Sequence, residues 1–304
     1  MTAQPAAQPT GQPTARPADA SLGSARLMTG TELAAAVVER CAEAARNLRE
    51  TSGVTPCLAT VLVGDDPASV TYVAMKRNRC ARAGIESRHV ALPADTTTEE
   101  LVAAVRALSA DPSVHGILLQ HPVPEHIDER AAFEAIDPAK DVDGVTMWSF
   151  AAMAFGLPGF HACTPGGIVR LLDAYGIDPS GRHAVVVGRS PILGKPLGML
   201  LLARDATVTY CHSRTVGLSD IIATADILVA AVGRPEFIKG ADIKPGAVVI
   251  DAGYNPGNVG DVDFAGAAAR ARLITPVPGG VGPMTIALLL EQTVAAAVRQ
   301  TATA

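Results

Sequence analysis

The hydrophobic pattern divides the chain into two successive runs of alternating strand and helix. Apolar positions three and four apart follow Thr29-Gly30-Thr31-Glu32 and predict an amphipathic helix to about Glu50. The unbroken apolar stretch Cys57–Val63 predicts a buried strand, ended by the turn signal Gly64-Asp65-Asp66-Pro67. A helix is expected over 69–83 with its stop at Gly84, then a strand around Val90. A helix capped by Thr98 and running to Ser109, and a short buried strand over 116–120, complete the first run. Strand and helix alternating in this way build a parallel sheet.

A second run begins at Thr164-Pro165-Gly166-Gly167, read as the cap of a helix reaching Tyr175. Strands are expected at His183–Val187, Thr207–Cys211, 227–231 and Val248–Asp251, with helices between the first three. A last short strand over 272–274 leads into Pro276-Val277-Pro278-Gly279-Gly280-Val281-Gly282-Pro283, immediately before an apolar run over 286–298. So many glycines and prolines demand a rigid turn with close backbone approach, and Pro283 suits the first turn of a closing helix. Residues 1–25, rich in Pro, Gln, Ala and Thr, show no apolar periodicity and read as a disordered tail. They lack the apolar core of about 7–15 residues that a secretory signal needs.

A length of 304 residues is enough for two domains of ordinary size or one large one. The formal charge of −5 leaves no electrostatic footprint for nucleic acid or an anionic membrane surface. No apolar run is expected to span a membrane, because Arg189 and Lys195 interrupt the longest candidate. Cys41, Cys57, Cys80, Cys163 and Cys211 are odd in number and contain no Cys-x-x-Cys pair, which favours reduced thiols in a cytoplasm. Of 25 basic residues only five are lysines, so each lysine merits inspection.

The strand Val185-Val186-Val187 runs into Gly188-Arg189-Ser190-Pro191-Ile192-Leu193-Gly194 and then a helix, the place where a dinucleotide pyrophosphate sits over a helix N-terminus. The spacing departs from Gly-x-Gly-x-x-Gly. A phosphate-loop NTPase is excluded, because Gly194-Lys195-Pro196 carries one residue too many before it and puts proline where a magnesium-binding hydroxyl is required. The next strand ends Tyr210-Cys211-His212-Ser213-Arg214 without the acid that an NAD site offers to the ribose. Arg189 and Ser213, with Arg214 either a third contact or a solvated charge, suit the 2′-phosphate of NADP instead.

Tyr72 and Lys76, four apart, project from one helical face. The pair precedes the glycine loop by over 100 residues, opposite to the order in short-chain dehydrogenases. Gln120 ends a strand held by Pro122 and Pro124, so its amide can orient an amine. Asp143 lies in Lys140-Asp141-Val142-Asp143-Gly144, where a calcium loop fails for want of the terminal glutamate, Ala152 standing in its place.

Taken together, Tyr72-Val73-Ala74-Met75-Lys76, Gln120-His121-Pro122-Val123-Pro124, the turn after Gly188 and the loop 276–285 resemble the bifunctional methylenetetrahydrofolate dehydrogenase/cyclohydrolase family from about Leu27 to Arg299. The resemblance implies a first, folate-binding α/β domain over 26–162 joined by a returning C-terminal helix over 283–304. It also implies a doubly wound, Rossmann-like NADP domain over 163–282. It makes Lys76 catalytic, packs Tyr72 at the folate, and completes the site with Gln120, Asp143 and the loop Pro278, Gly279, Gly280. It places Gly188, Arg189, Ser190, Ser213 and Tyr254 at the cofactor, Tyr254 through its backbone because this position is often aliphatic. It further implies tetrahydrofolate substrates, a homodimer, no metal, and a place in one-carbon metabolism and purine biosynthesis. His121 replaces a commoner leucine; on a strand it points away from Gln120, so either a structural role or tuning of Lys76 is open. Two rivals remain, a shikimate-type dehydrogenase of the same layout and a folate- or NADP-binding protein without turnover.

Overall fold

The computed structural model describes residues 25–64 and 78–303. Two parallel sheets carry the fold. Strand β2 (Cys57–Val63) is buried along its whole length because it lies between β3 (Glu86–Leu92) and β4 (Gly116–Leu119) in a three-stranded sheet. Full burial on both faces explains why β2 reads as a continuous apolar run rather than an alternation. The edge strand β3 alternates exposed and half-buried positions, as a one-sided strand must.

The second sheet has six parallel strands. Besides β1 (Arg26–Leu27) it contains β5 (His183–Val187), β6 (Thr207–Cys211), β7 (Ile227–Ala230), β8 (Val248–Asp251) and β9 (Leu273–Ile274), in the order β1-β9-β8-β7-β5-β6. The chain moves outward from β5 to β6 and then crosses back to β7 on the other side of β5. That reversal opens a crevice at the carboxyl ends of these strands, where α/β sheets bind their ligands. Although β1 comes first in the chain, it is the far edge of this second sheet, paired with β9. A two-residue strand carries too little pattern to announce this in the sequence.

Helix α1 (Thr31–Ser52) buries Ala34, Val37, Cys41, Ala45 and Leu48 on one stripe and ends at Gly53 in the left-handed region. Helix α2 (Thr98–Ala110) corrects the expected cap by one residue. Thr97, not Thr98, accepts from the Glu100 amide, and the Glu100 carboxylate returns to the Thr97 amide in a capping box. Short helices α3 (Glu129–Phe133) and α4 (Met147–Ala154) flank the segment that carries Asp143. Of the helix expected over 69–83, only 78–83 falls among the described residues, and 78–82 is helical. Tyr72 and Lys76 lie outside them.

Helix α5 (Cys163–Ala174) starts two residues earlier than a Thr164 cap would allow. Thr164-Pro165-Gly166-Gly167 forms its first turns, and Ala162 precedes it without a side-chain cap. The glycines serve packing instead: a Cβ on Gly167 would sit 3.0 Å from that of Met284 on the last helix. The crevice is flanked by α6 (Gly194–Leu202) and α7 (Leu218–Ile222), and α8 (Phe264–Ala268) leads into β9.

The last helix, α9 (Val281–Thr303), packs on α1 and α5 and touches β2 and β4, so it does return to the first unit. It also corrects the expectation about apolar length. Val281–Ala302 is long and apolar enough to cross a membrane by composition, yet most of it is buried inside this fold as a core helix. All five cysteines are buried and none is in a disulfide.

Candidate functional site

At the end of β5 the chain turns on Gly188, whose φ of 138 is closed to other residues and whose Cβ would collide with the Ala231 carbonyl oxygen. The Gly188 amide donates to the Cys211 carbonyl at 2.9 Å, which joins the ends of β5 and β6. Over these ends lies a cavity of about 230 Å³ lined by Gly188, Arg189, His212, Ser213, Arg234 and Phe237, with apolar residues from the end of β5, the start of α7 and the turn after β7. Among the described residues no carboxylate lines it. Its cationic and hydroxyl donors fit a ribose phosphate better than a bare ribose hydroxyl.

Of the residues predicted to hold a nucleotide, Gly188, Arg189 and Ser213 therefore converge on one cavity. Ser190 instead fixes the turn, its Oγ accepting from the Leu193 amide at 3.1 Å. Tyr254 is 69% exposed and donates to Asn258 Oδ1 at 2.8 Å, away from the lining. Arg214 is exposed and also outside the lining, while its amide donates to His212 Nδ1 at 3.2 Å.

The sequence reading missed two buried carboxylates behind this cavity. Asp261 accepts from the successive amides of Val232, Gly233 and Arg234 at 2.6, 2.9 and 2.9 Å, holding the turn after β7. Asp251, at the end of β8, accepts from Gly253, Asp261 and Val262 amides at 2.9, 2.9 and 3.0 Å. Burial pushes the Asp251 carboxyl up to about 6, against the pull of those three donors. Such residues match no motif. The one hint was acids placed among glycines, in Asp251-Ala252-Gly253 and Gly260-Asp261.

On the other side, Gln120 follows β4 and its amide donates to the Val61 carbonyl at 2.8 Å, continuing the β2–β4 ladder. Its Nε2 donates to the His121 carbonyl at 3.0 Å. The His121 ring stands edge-on to Phe133 with centroids 6.2 Å apart, a packing role. The two aspartates of Asp141-Val142-Asp143 divide their work. Asp141 is wholly buried and accepts from the Val145 and Thr146 amides and the Thr146 and Ser149 hydroxyls, at 3.0, 2.9, 2.7 and 2.6 Å. Asp143 is half-buried.

Helix α9 holds this segment from behind. Gln292 Nε2 donates to the Val142 and His161 carbonyls at 2.7 and 2.9 Å, and its Oε1 accepts from the His161 amide at 3.1 Å. Burial first, and the neighbouring Asp143 carboxylate second, push the Cys163 thiol well above its ordinary range, so it stays protonated and unreactive. The loop Pro278-Gly279-Gly280 docks on the start of α1, the Gly279 carbonyl accepting from the Gly30 amide at 2.9 Å.

The four described lysines are placed elsewhere. Lys140 is buried and donates to the Asp111 carbonyl at 2.7 Å, Lys239 donates to the Glu236 carbonyl, and Lys244 pairs with Asp226. Lys195 is exposed in the first turn of α6. Among the described residues no group of three or more His, Cys, Asp or Glu is arranged for a metal ion.

Two family models match in tandem. Residues 28–143 match the tetrahydrofolate dehydrogenase/cyclohydrolase catalytic domain, and 162–301 match the NAD(P)-binding domain of the same family. A bifunctional protein FolD 1 of Streptomyces avermitilis is 73% identical over 277 residues, covering 91% of this chain and 96% of that protein. The crystal structure of the bifunctional FolD methylenetetrahydrofolate dehydrogenase/cyclohydrolase from Campylobacter jejuni superposes with a TM-score of 0.88 at 42% identity, over 91% of this chain and 99% of that one. The Trypanosoma brucei enzyme, solved with NADP and an inhibitor, gives 0.87 at 37% identity, over 91% and 98%.

Proposed function

This chain belongs to the tetrahydrofolate dehydrogenase/cyclohydrolase family, and from that premise we propose how its residues divide the work. The enzyme oxidises 5,10-methylenetetrahydrofolate to the methenyl form and hydrolyses that to 10-formyltetrahydrofolate. NADP, when bound, supplies the hydride acceptor. The observation that carries the choice of NADP is the crevice lining, which holds Arg189 and Ser213 and no carboxylate. Arg189 and Ser213 take the 2′-phosphate by charge-assisted hydrogen bonds, which a carboxylate would repel. Gly188 gives the pyrophosphate close backbone approach, Ser190 shapes the turn, and the Tyr254 backbone completes the cofactor wall.

The folate lies on the other unit, 26–162 with 283–304, while 163–282 carries the nucleotide. Tyr72 packs against the pterin, Asp143 accepts from its donor edge, and the loop Pro278-Gly279-Gly280 closes over it. Hydrolysis of the methenyl cation needs one proton to leave the attacking water and another to reach the departing nitrogen. Lys76 performs this transfer as general acid and base, with Gln120 assigned to orient its amine. A shikimate-type enzyme is disfavoured because both halves of the chain match folate-family models. A protein without turnover would have no need of a tuned amine.

We assign the enzyme to the cytoplasm, in keeping with five buried cysteines outside any disulfide, and to a homodimer supplying formyl groups for purine biosynthesis. The test follows absorbance with methylenetetrahydrofolate and each nicotinamide cofactor. NADP reduction accompanied by methenyl hydrolysis is expected; preference for NAD, or methenyl that accumulates without hydrolysis, overturns the reading. Sedimentation at micromolar concentration checks the dimer.

A further inference from the structure

We propose that Arg234 is the stacking surface for the adenine ring, a contact that serves binding without discriminating between NADP and NAD. The inference rests on the reading that the crevice beside Gly188 takes the adenosine end of the cofactor. Arg234 lies in the turn after β7, across the cavity from the turn after β5 that carries Arg189. Its guanidinium lies over the Phe237 ring, 4.5 Å from the centroid. The cation is therefore in contact with an aromatic ring, and among the described residues no carboxylate shares the cavity lining with it.

A guanidinium held against a ring in this way presents a planar, weakly hydrated cation that stacks on aromatic faces. Adenine is such a face, and in a ring–guanidinium–ring stack Phe237 fixes the plane before the ligand arrives, which lowers the ordering cost of binding. Anchorage comes from below. The Arg234 amide is the third of three successive amides held by the fully buried Asp261 carboxylate, whose own amide is held by Asp251. A mobile surface arginine would pay for its own immobilisation at each binding event. Here the backbone is already fixed by a carboxylate and the side chain by an aromatic ring.

Stacking on adenine and binding the 2′-phosphate make different demands on affinity. The adenine contact contributes equally to every adenine nucleotide, whereas a phosphate contact raises only the affinity of 2′-phosphorylated ones. The experiment is calorimetric titration of the full-length protein with 5′-AMP and with adenosine 2′,5′-bisphosphate, with no turnover involved. Arg234→Ala is expected to weaken both ligands by the same factor, about three- to tenfold, leaving their affinity ratio at the wild-type value. Arg189→Ala is expected to collapse that ratio. Phe237→Leu, which keeps an apolar neighbour but removes the aromatic plane, is expected to weaken both ligands in the same sense as Arg234→Ala and by less.

Selective loss of the bisphosphate in Arg234→Ala would overturn the stacking role in favour of a second phosphate contact. Unchanged affinity for both would remove Arg234 from the site. If Arg189→Ala and Arg234→Ala both left both ligands unaffected while the wild type bound them, the adenosine end would lie elsewhere, and the underlying reading of the crevice would fall with the inference.

Discussion

Asp141 and Asp143 stand two residues apart, and their substitution should separate folding from function. In Asp141→Ala the Val145 and Thr146 amides and the Thr146 and Ser149 hydroxyls all lose their acceptor. Thr146 and Ser149 are 2% and 3% exposed, so water does not replace it. The hydroxyls can rotate towards other acceptors; the amides cannot. With a buried orphaned donor costing about 1–3 kcal/mol, two amides and partial loss at two hydroxyls give a destabilisation of roughly 3–5 kcal/mol. Asp141→Asn keeps one oxygen. Placed at the Oδ2 position it retains three of the four bonds, but turns an NH₂ towards the Val145 amide, for a cost of about 1–2 kcal/mol. Asp143→Ala should move stability by less than about 1 kcal/mol, because the carboxylate is only half-buried and the Cys163 thiol beside it keeps the Val142 carbonyl as an acceptor. It should nevertheless abolish most folate turnover and leave nucleotide binding intact. The assay is urea unfolding followed by circular dichroism, with folate kinetics run on the same samples. Asp141→Ala within about 1 kcal/mol of wild type would refute the account of this segment, as would Asp143→Ala with unchanged folate kinetics.

Arg189→Ala should cost NADP about 1.5–3 kcal/mol, roughly ten- to a hundredfold in affinity, and spare NAD. Equal loss for both cofactors in a binding titration would show that Arg189 touches something other than the 2′-phosphate. Lys76→Met should abolish cyclohydrolase activity, worth about 10²–10⁴-fold as general acid–base help, while measurable dehydrogenase activity persists. Methenyl and NADPH absorbance followed separately decide it, and full hydrolysis in the variant would sink the assignment. Asp251, raised to about 6 by burial from an ordinary value near 3.8, binds its proton in the folded state at pH values where the unfolded chain has released it. Its contribution to stability is therefore greatest below the unfolded value and is lost as the pH rises through about 6. Urea midpoints of the wild type relative to Asp251→Asn should improve between pH 7 and pH 5, and a constant difference would contradict the buried, raised carboxyl. Deleting residues 1–24 should leave both activities and the melting temperature nearly unchanged; a fall of several degrees would show that this segment packs.

The sequence by itself determined the two α/β units, most of their strands and the residue types of the nucleotide turn. These are local consequences of chain pattern. A strand buried on both faces must be apolar throughout, as Cys57–Val63 is, and a turn against another backbone must be glycine, as Gly188 is. The roles given to Lys76, Gln120 and Asp143 rest instead on the resemblance to the folate family, which short spacing alone does not supply. Only the tertiary structure decided matters that depend on partners distant in the chain. Whether Gly166 and Gly167 cap a helix or admit one was settled by Met284 and Leu288, which arrive more than a hundred residues later. The first strand, Arg26–Leu27, found its pairing partner at the other end of the chain. Asp141 and Asp143 are identical as residues and differ only in the donors folded around them. Asp261 and Arg234 left no signature, because a carboxylate that gathers three amides and a guanidinium laid on a ring are defined by position in space. Burial, hydrogen-bond satisfaction and stacking are properties of neighbours, and the chain acquires its neighbours only by folding.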